Sequence, residues 1–137
     1  MSAAGAIIGS THMQREALVS NEIAPAAGPF AAAMCAGEFI FVSGQVAQHP
    51  ASGKLTGTDV AAQAEQVFAN MRAVLRAAGK TLADVVRVGV YLTDMNDFEK
   101  MNAVYARHFD APYPARTTIA VAALPLGAAV EMDLVAR

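Results

Sequence analysis

Three charged residues lie within one of the most apolar stretches of the chain, residues 114–133. Arg116, Glu131 and Asp133 are set among alanines, valines and leucines that suit burial. An ion that loses its hydration without gaining a partner is costly, so charged side chains are seldom fully buried unless they are paired. We therefore interpret this stretch as a hairpin that carries a polar active-site pocket.

Two of these residues have the chemistry to bind and attack a small acid. Arg116 is the candidate anchor, because a planar guanidinium can hold a carboxylate through two parallel hydrogen bonds. Glu131 is the candidate for positioning or activating water, since a carboxylate does this when its pKa suits the operating pH. Thr118 lies on the same face of its strand as Arg116. If the numbers of residues paired across the hairpin add up to an odd value, Glu131 and Asp133 lie on that face too.

Each of these residues also has a structural interpretation. Arg116 could form a salt bridge to Glu131 or Asp133 at a subunit interface, because ion pairs are often structural. Glu131 could be a solvated carboxylate at a sheet edge, and Asp133 is interpreted as one. Thr118 is equally well explained as strand filler, because its β-branched side chain suits a strand.

An amphipathic helix is predicted from Asp59 to Ala78, with Thr58 as its N-cap and Gly79 as a left-handed stop. Its apolar residues recur at spacings of three and four, which places them on one face. They are Val60, Ala64, Val67, Met71, Val74 and Ala78.

A second helix is predicted to begin at Asn96 or Asp97 and to end before Pro112. Asn102 falls on its inward face and can both donate and accept hydrogen bonds. A buried asparagine that caps a loop is the alternative interpretation. The apolar residues of that face are Phe98, Met101, Tyr105 and Phe109.

Period-two alternation predicts the strands. Asp84 to Thr93 is predicted as a central strand, and Glu16 to Ser20 as a possible extra strand. Two hairpins are predicted around Gly-containing turns, the first from Phe30–Cys35 and Phe39–Gln45, and the second from Arg116–Ala122 and Ala129–Ala136. The order ββαβαββ predicts an α+β fold in which two helices cover one face of a mixed sheet.

The composition fits one domain, predicted to span residues 14–137. Residues 1–13 are expected to be a disordered extension or a remnant of cloning. Hydrophobic residues make up 55% of the chain and charged residues only 16%. Because two helices cover only one sheet face, we expect the other face to pack against further subunits of a homo-oligomer.

Charge and cysteine content exclude several classes of protein. A net charge of −2 with no basic run disfavours nucleic acid as a partner. Residues 1–12 lack a basic stretch, and their apolar part is too short for a signal peptide or a membrane span. The single Cys35 fits a reducing, cytoplasmic compartment. No metal site is expected, because the histidines at positions 12, 49 and 108 form no ligand-like spacing with that cysteine.

From about Ala17 to Ala136 the chain resembles the RidA family, also called YjgF/YER057c/UK114, of imine and enamine deaminases. The resemblance is carried by NEIAPAAGPF at 21–30, FIFVSGQ at 39–45, DMNDFEKMNAVY at 94–105, and the PARTTIAV and LPLGAAVEMD segments. It implies a chorismate-mutase-like α+β fold and a homotrimer with clefts between neighbouring subunits. It also implies cofactor-free hydrolysis of 2-iminoacids and 2-aminoacrylate-type tautomers, such as 2-iminobutanoate and 2-iminopropanoate, to 2-oxoacids and ammonia.

The resemblance implies that Asn102 lies at the cleft, and Ser43 is predicted to bind substrate beside Gly44, where the missing Cβ allows a close approach. An ordinary strand-end serine is the equal alternative. Phe30 replaces the tyrosine common in the GPY segment, so it could wall the cleft but offers no hydroxyl. A non-catalytic, regulatory trimer that binds small carboxylates is the alternative function. An endoribonuclease or translation inhibitor is disfavoured, because RNA affinity depends on neutralising phosphates.

Overall fold

The computed structural model describes residues 14–137, which form one mixed sheet and two α-helices. The predicted extension at residues 1–13 lies outside the described residues. The elements are β1 (Arg15–Leu18), β2 (Ala33–Ala36), β3 (Phe39–Gln45), α1 (Val60–Ala77), β4 (Val85–Leu92), α2 (Phe98–His108), β5 (Ala115–Ala120) and β6 (Val130–Ala136). The predicted α+β class is confirmed, and the possible first strand is present.

Helix α1 buries the whole of its predicted apolar face. Its N-cap is Asp59 rather than Thr58, because the Asp59 carboxylate accepts the N–H of Ala62 at 2.8 Å. Gly79 ends the helix with a φ of 71°, as predicted, and its N–H donates to the Arg76 carbonyl at 2.9 Å.

Helix α2 begins at Phe98, one or two residues later than predicted. A 3₁₀ turn over Met95–Asp97 precedes it, and the Asp94 side chain caps that turn by accepting the N–H of Asn96 at 2.9 Å. Short 3₁₀ turns of this kind are frequent at helix N-termini. Phe98 and Tyr105 of α2 lie against Arg116 of the edge strand β5.

The sheet has the strand order β1-β2-β3-β6-β4-β5. The first predicted hairpin is confirmed as β2 and β3, joined at Gly37 with a φ of 57°. The second predicted hairpin is wrong, because β5 and β6 do not pair with each other. Strand β4 lies between them, parallel to β5 and antiparallel to β6, which makes β4 central as predicted.

This insertion decides which side chains share a face. Val88 pairs with Arg116 on one side and with Leu134 on the other. Arg116 therefore lies on the helix-covered face, where Val88 and Leu134 are buried. Tyr91 pairs with Glu131, so Glu131 lies on the opposite face. The predicted placement of Arg116 and Glu131 on one face is wrong within a single chain.

The opposite face, which we call the open face, is covered by no helix of the described chain. Four large apolar side chains on this side of the sheet are between 41% and 47% exposed: Phe39, Phe41, Val86 and Ile119. Exposed apolar patches of this kind mark interaction surfaces. The open face is thus the surface that the composition predicted for subunit packing.

Candidate active site

The structure divides the predicted site residues into two groups on opposite faces of the sheet. The first, which we call the arginine half, comprises Arg116 and Thr118 of β5 and Asn102 of α2. The second, the glutamate half, comprises Glu131 of β6 and Ser43 of β3, with Phe30 from the loop before β2 lining a cavity beside Glu131. Because side chains alternate along a strand and β4 separates the two strands, one chain cannot bring the halves together.

In the arginine half, two aromatic rings of α2 hold the guanidinium. The Cζ atom of Arg116 lies 4.6 Å from the centroid of the Tyr105 ring and 5.6 Å from that of the Phe98 ring. A cation over an aromatic face is attracted by about 0.5–2 kcal/mol. Arg116 forms no ion pair within residues 14–137, so the alternative of a salt bridge to Glu131 or Asp133 is not found within the chain.

Three buried polar atoms on α2 and β5, the elements that position this guanidinium, have no hydrogen-bond partner in the described chain. They are Asn102 Oδ1, the Tyr105 hydroxyl and Thr118 Oγ1. A buried polar group without a partner costs about 1–3 kcal/mol, and such groups are rare in folded proteins. Burial raises the pKa of the Tyr105 hydroxyl, against the opposing effect of Arg116. The cluster is therefore built to receive polar groups from outside it.

In the glutamate half, the Glu131 carboxylate lies directly against the backbone of β3. A Cβ at Gly44 would lie 2.9 Å from Glu131 Cδ and closer still to a carboxylate oxygen, so any other residue there would displace the carboxylate from this position. Burial raises the pKa of Glu131, and the neighbouring Asp133 raises it further. A carboxylate with a raised pKa is a stronger base, which suits proton transfer nearer to neutral pH.

Asp133 is not the solvated edge carboxylate that the sequence suggested. It lies over Gly89, is half-buried, and accepts a hydrogen bond of 2.9 Å from the Tyr91 hydroxyl. This hydrogen bond raises the pKa of Tyr91, with burial adding to the effect. Asp133 is therefore held by its own chain, whereas Glu131 accepts no hydrogen bond from the described residues.

Ser43 and Phe30 differ in how far they are available to a ligand. The Ser43 hydroxyl donates to the Ala31 carbonyl at 2.6 Å, which orients its oxygen beside Gly44 and ties down its proton. Phe30 is 55% exposed and lines a cavity of about 320 Å³. Gly44 and Glu131 line the same cavity, whereas Ser43 is not among its lining residues.

Tyr105 was not predicted as a site residue, and neither was the pairing of β5 with β4. The signal for the pairing was present: β4, α2 and β5 form a strand–helix–strand unit, which favours parallel neighbours. The signal for Tyr105 was its place on the face of α2 that carries Asn102. Nothing in the sequence alone indicated that Gly44 would lie beneath Glu131.

Among residues 14–137 no group of histidine, cysteine and acidic side chains is placed to bind a metal ion. None of the helices in this part of the chain is both long and apolar enough to cross a membrane.

Comparison with known proteins identifies the family. The model of the family described as Endoribonuclease L-PSP matches residues 20–137. Human 2-iminobutanoate/2-iminopropanoate deaminase is 40% identical over 120 residues, which cover 87% of this chain and 88% of that protein. Protein DfrA of Myxococcus xanthus is 44% identical over 126 residues, covering 90% of this chain and 96% of that one.

Solved structures agree with the sequence relatives. The crystal structure of the yeast protein YEO7 superposes with a TM-score of 0.86 at 39% identity, covering 90% of this chain and 98% of the yeast chain. The structure of TdcF from E. coli, determined with bound serine, gives a TM-score of 0.84 at 33% identity, with coverage of 88% and 97%. The chain therefore belongs to the Endoribonuclease L-PSP family, which includes the RidA proteins that its motifs resemble.

Proposed function

We propose that this protein is a cofactor-free deaminase that hydrolyses 2-iminoacids and their 2-aminoacrylate-type tautomers to 2-oxoacids and ammonia. The observation that carries the proposal is Arg116, a cation without a carboxylate partner in the described chain, which lies against the Tyr105 ring between two elements that carry three buried and unpartnered polar atoms. A 2-iminoacid supplies what this cluster lacks, a carboxylate and an N–H group on adjacent carbons. The human and bovine relatives named 2-iminobutanoate/2-iminopropanoate deaminase support the same substrate class.

In this proposal the arginine half binds and orients the substrate. Arg116 holds the carboxylate through two hydrogen bonds, and the rings beside it restrict the guanidinium before substrate arrives. The hydroxyls of Thr118 and Tyr105 donate to the carboxylate, while Asn102 Oδ1 accepts from the imine N–H. Orientation of this kind can remove several kcal/mol from the barrier, which suffices for an imine that already hydrolyses in water.

The glutamate half supplies the water. Glu131 takes a proton from water as the oxygen bonds to the imine carbon and passes that proton to the nitrogen, which leaves a hydroxyl and an amino group on one carbon. Glu131 then takes the hydroxyl proton and passes it to the amino nitrogen as the carbonyl forms, so the carbon–nitrogen bond breaks, ammonia leaves and the 2-oxoacid remains. Ser43 and the wall at Phe30 complete this side of the cleft.

Because the halves lie on opposite faces, we propose that each cleft forms between two copies of the chain in a homotrimer. One copy contributes Arg116, Thr118 and Asn102, and its neighbour contributes Glu131, Ser43 and Phe30. A contact between two different surfaces closes into a ring when repeated around a rotation axis. The apolar open face, with Phe41 and Ile119 exposed, is the surface that such packing would cover.

The test generates 2-iminobutanoate in situ with a threonine dehydratase and measures ammonia release with and without this protein. We expect acceleration that rises with protein concentration, together with a trimeric mass in solution. If an intact trimer did not accelerate ammonia release, the proposed deaminase activity would be overturned. The regulatory trimer that binds small carboxylates would then be favoured. Binding of 2-oxobutanoate to a trimer that does not hydrolyse 2-iminobutanoate would identify that alternative directly.

A further inference from the structure

The cavity beside Glu131 is larger and more apolar than deamination of the smallest 2-iminoacids requires. Its volume is about 320 Å³, within the range of pockets that hold whole small molecules. Most of its lining is aliphatic or aromatic, including Ile23, Pro25, Phe30, Val46 and Leu126. We propose that this cavity binds the substrate side chain and makes the protein selective for 2-iminoacids with large apolar side chains. The inference deepens the proposed function and rests on it.

Connectivity of the substrate directs its side chain into this cavity. The carbon attacked by water carries the carboxylate, the nitrogen and the side chain. When the carboxylate is held by Arg116 and water by Glu131, the side chain begins within a few bonds of the Glu131 carboxylate. The cavity is the apolar space that Glu131 itself lines, so it is the space that the side chain enters.

Leu126 forms an exposed apolar lip on this cavity. It has a φ of 60°, a conformation that residues other than glycine seldom adopt, and it is 58% exposed. Hydrogen bonds of the surrounding turn hold it there, since the Ala128 N–H donates to the Pro125 carbonyl at 3.1 Å. A leucine that is more than half exposed at this position offers apolar surface to a ligand.

Charge within the cavity adds a second selection. Glu131 is the only ionisable residue among those that line it. A substrate with an acidic side chain would place a second carboxylate beside Glu131, where two like charges repel. We therefore expect 2-iminoacids derived from aspartate or glutamate to be poor substrates, and those derived from leucine or methionine to be good ones.

The experiment compares 2-iminoacids generated in situ from alanine, leucine and glutamate by an amino-acid oxidase with catalase. Each methylene group removed from water favours binding by a factor of about four, so kcat/KM for the leucine-derived imine should exceed that for the alanine-derived imine at least tenfold. Leu126→Asn should lower this ratio severalfold, because asparagine tolerates a positive φ but removes the apolar lip. Val19→Asn is the matched control, since Val19 is 80% exposed and lies outside the cavity.

A second measurement separates this inference from the proposed reaction. Calorimetry compares binding of 4-methyl-2-oxopentanoate and pyruvate, which need no turnover. We expect the larger acid to bind at least tenfold more tightly to the wild type and to lose part of that advantage in Leu126→Asn. Equal affinities, or a preference that Leu126→Asn leaves unchanged, would overturn the inference even if the protein is a deaminase. A clear preference without any turnover would overturn the proposed reaction alone.

Discussion

The two halves of the candidate site hold their charged side chains in different ways. On the helix-covered face, Arg116 is held by the rings of Tyr105 and Phe98, so its charge stays free to meet a carboxylate. On the open face, Glu131 is pressed against Gly44 beside another carboxylate, and its pKa is raised. The first arrangement leaves a cation ready to bind. The second leaves a base ready to accept a proton.

The comparison shows why the halves are useful on different faces. If Arg116 and Glu131 were neighbours in one chain, they would form an ion pair, which would lower the pKa of Glu131 and occupy the guanidinium. Separation by the sheet keeps each charge unpaired within one chain. In the proposed trimer, a second copy would bring the two charges to one cleft with the substrate between them.

The largest expected effect comes from the glutamate half. Glu131→Gln removes the base but keeps the shape of the side chain, so kcat for 2-iminobutanoate should fall about 10²–10⁴-fold. Asp133→Asn is the matched control on the same strand and face, because its amide can still accept the Tyr91 hydrogen bond. It should retain kcat within a few fold. Equal losses in the two variants would show that the open face matters for assembly and not for chemistry.

The next effect tests whether the halves come from different copies. Arg116→Lys loses the two-pronged grip on a carboxylate, so alone it should lower kcat/KM about 100-fold. When it is refolded together with Glu131→Gln, about a quarter of the clefts in randomly mixed trimers should combine an intact Arg116 with an intact Glu131. Activity should therefore recover to about a quarter of the wild-type value.

A mixture of Arg107→Lys with Glu131→Gln provides the control for that experiment. Arg107 lies on the exposed side of α2 and pairs with Glu65, away from Tyr105 and Arg116. Activity in that control mixture reports only how far the Glu131→Gln chains are diluted by chains that keep Glu131. If the Arg116→Lys mixture shows no gain over its separate components, both halves act from one chain and the proposed cleft is wrong.

Sequence patterns predicted the elements well because each depends on local physics. The face of α1, the stop at Gly79 and the turn at Gly37 all follow from spacing and from the backbone freedom of glycine. The pairing of β5 with β6 failed because Pro125 and Gly127 resemble a hairpin turn while the connecting residues 121–129 pass the end of β4. Alternation with a period of two shows which residues of one strand share a face. It does not show which strand lies beside that strand.

The candidate site was predicted residue by residue but not as an arrangement. Arg116 and Thr118 do share one face of β5, and Phe30 and Glu131 do line one cavity. Their division between two faces depends on β4, and the support of Glu131 by Gly44 depends on the register of β3 with β6. Both are long-range choices set by packing of the whole sheet, which no local spacing encodes.

The smallest effect is on stability, and it has opposite signs for two carboxylates. A raised pKa means that the folded state binds the Glu131 proton more tightly than the unfolded state does. The free energy of unfolding therefore falls as pH rises from the ordinary glutamate value through the raised one. Glutamine does not titrate. The Tm of Glu131→Gln minus that of the wild type should therefore rise by about 1–3 °C between pH 4 and pH 7.

Glu65 provides the reverse case on the surface between α1 and α2. Hydrogen bonds from Arg107, and then from His108, hold the pKa of Glu65 below its usual value. Its stabilisation is present above the ordinary glutamate pKa and is lost as pH falls through the lowered one. Glu65→Gln should therefore lower the Tm at pH 7, with the deficit shrinking toward acid. Thermal melts of both variants from pH 3 to pH 7 check the two slopes, and slopes of the same sign would contradict the assignment of Glu131 as the unpaired carboxylate.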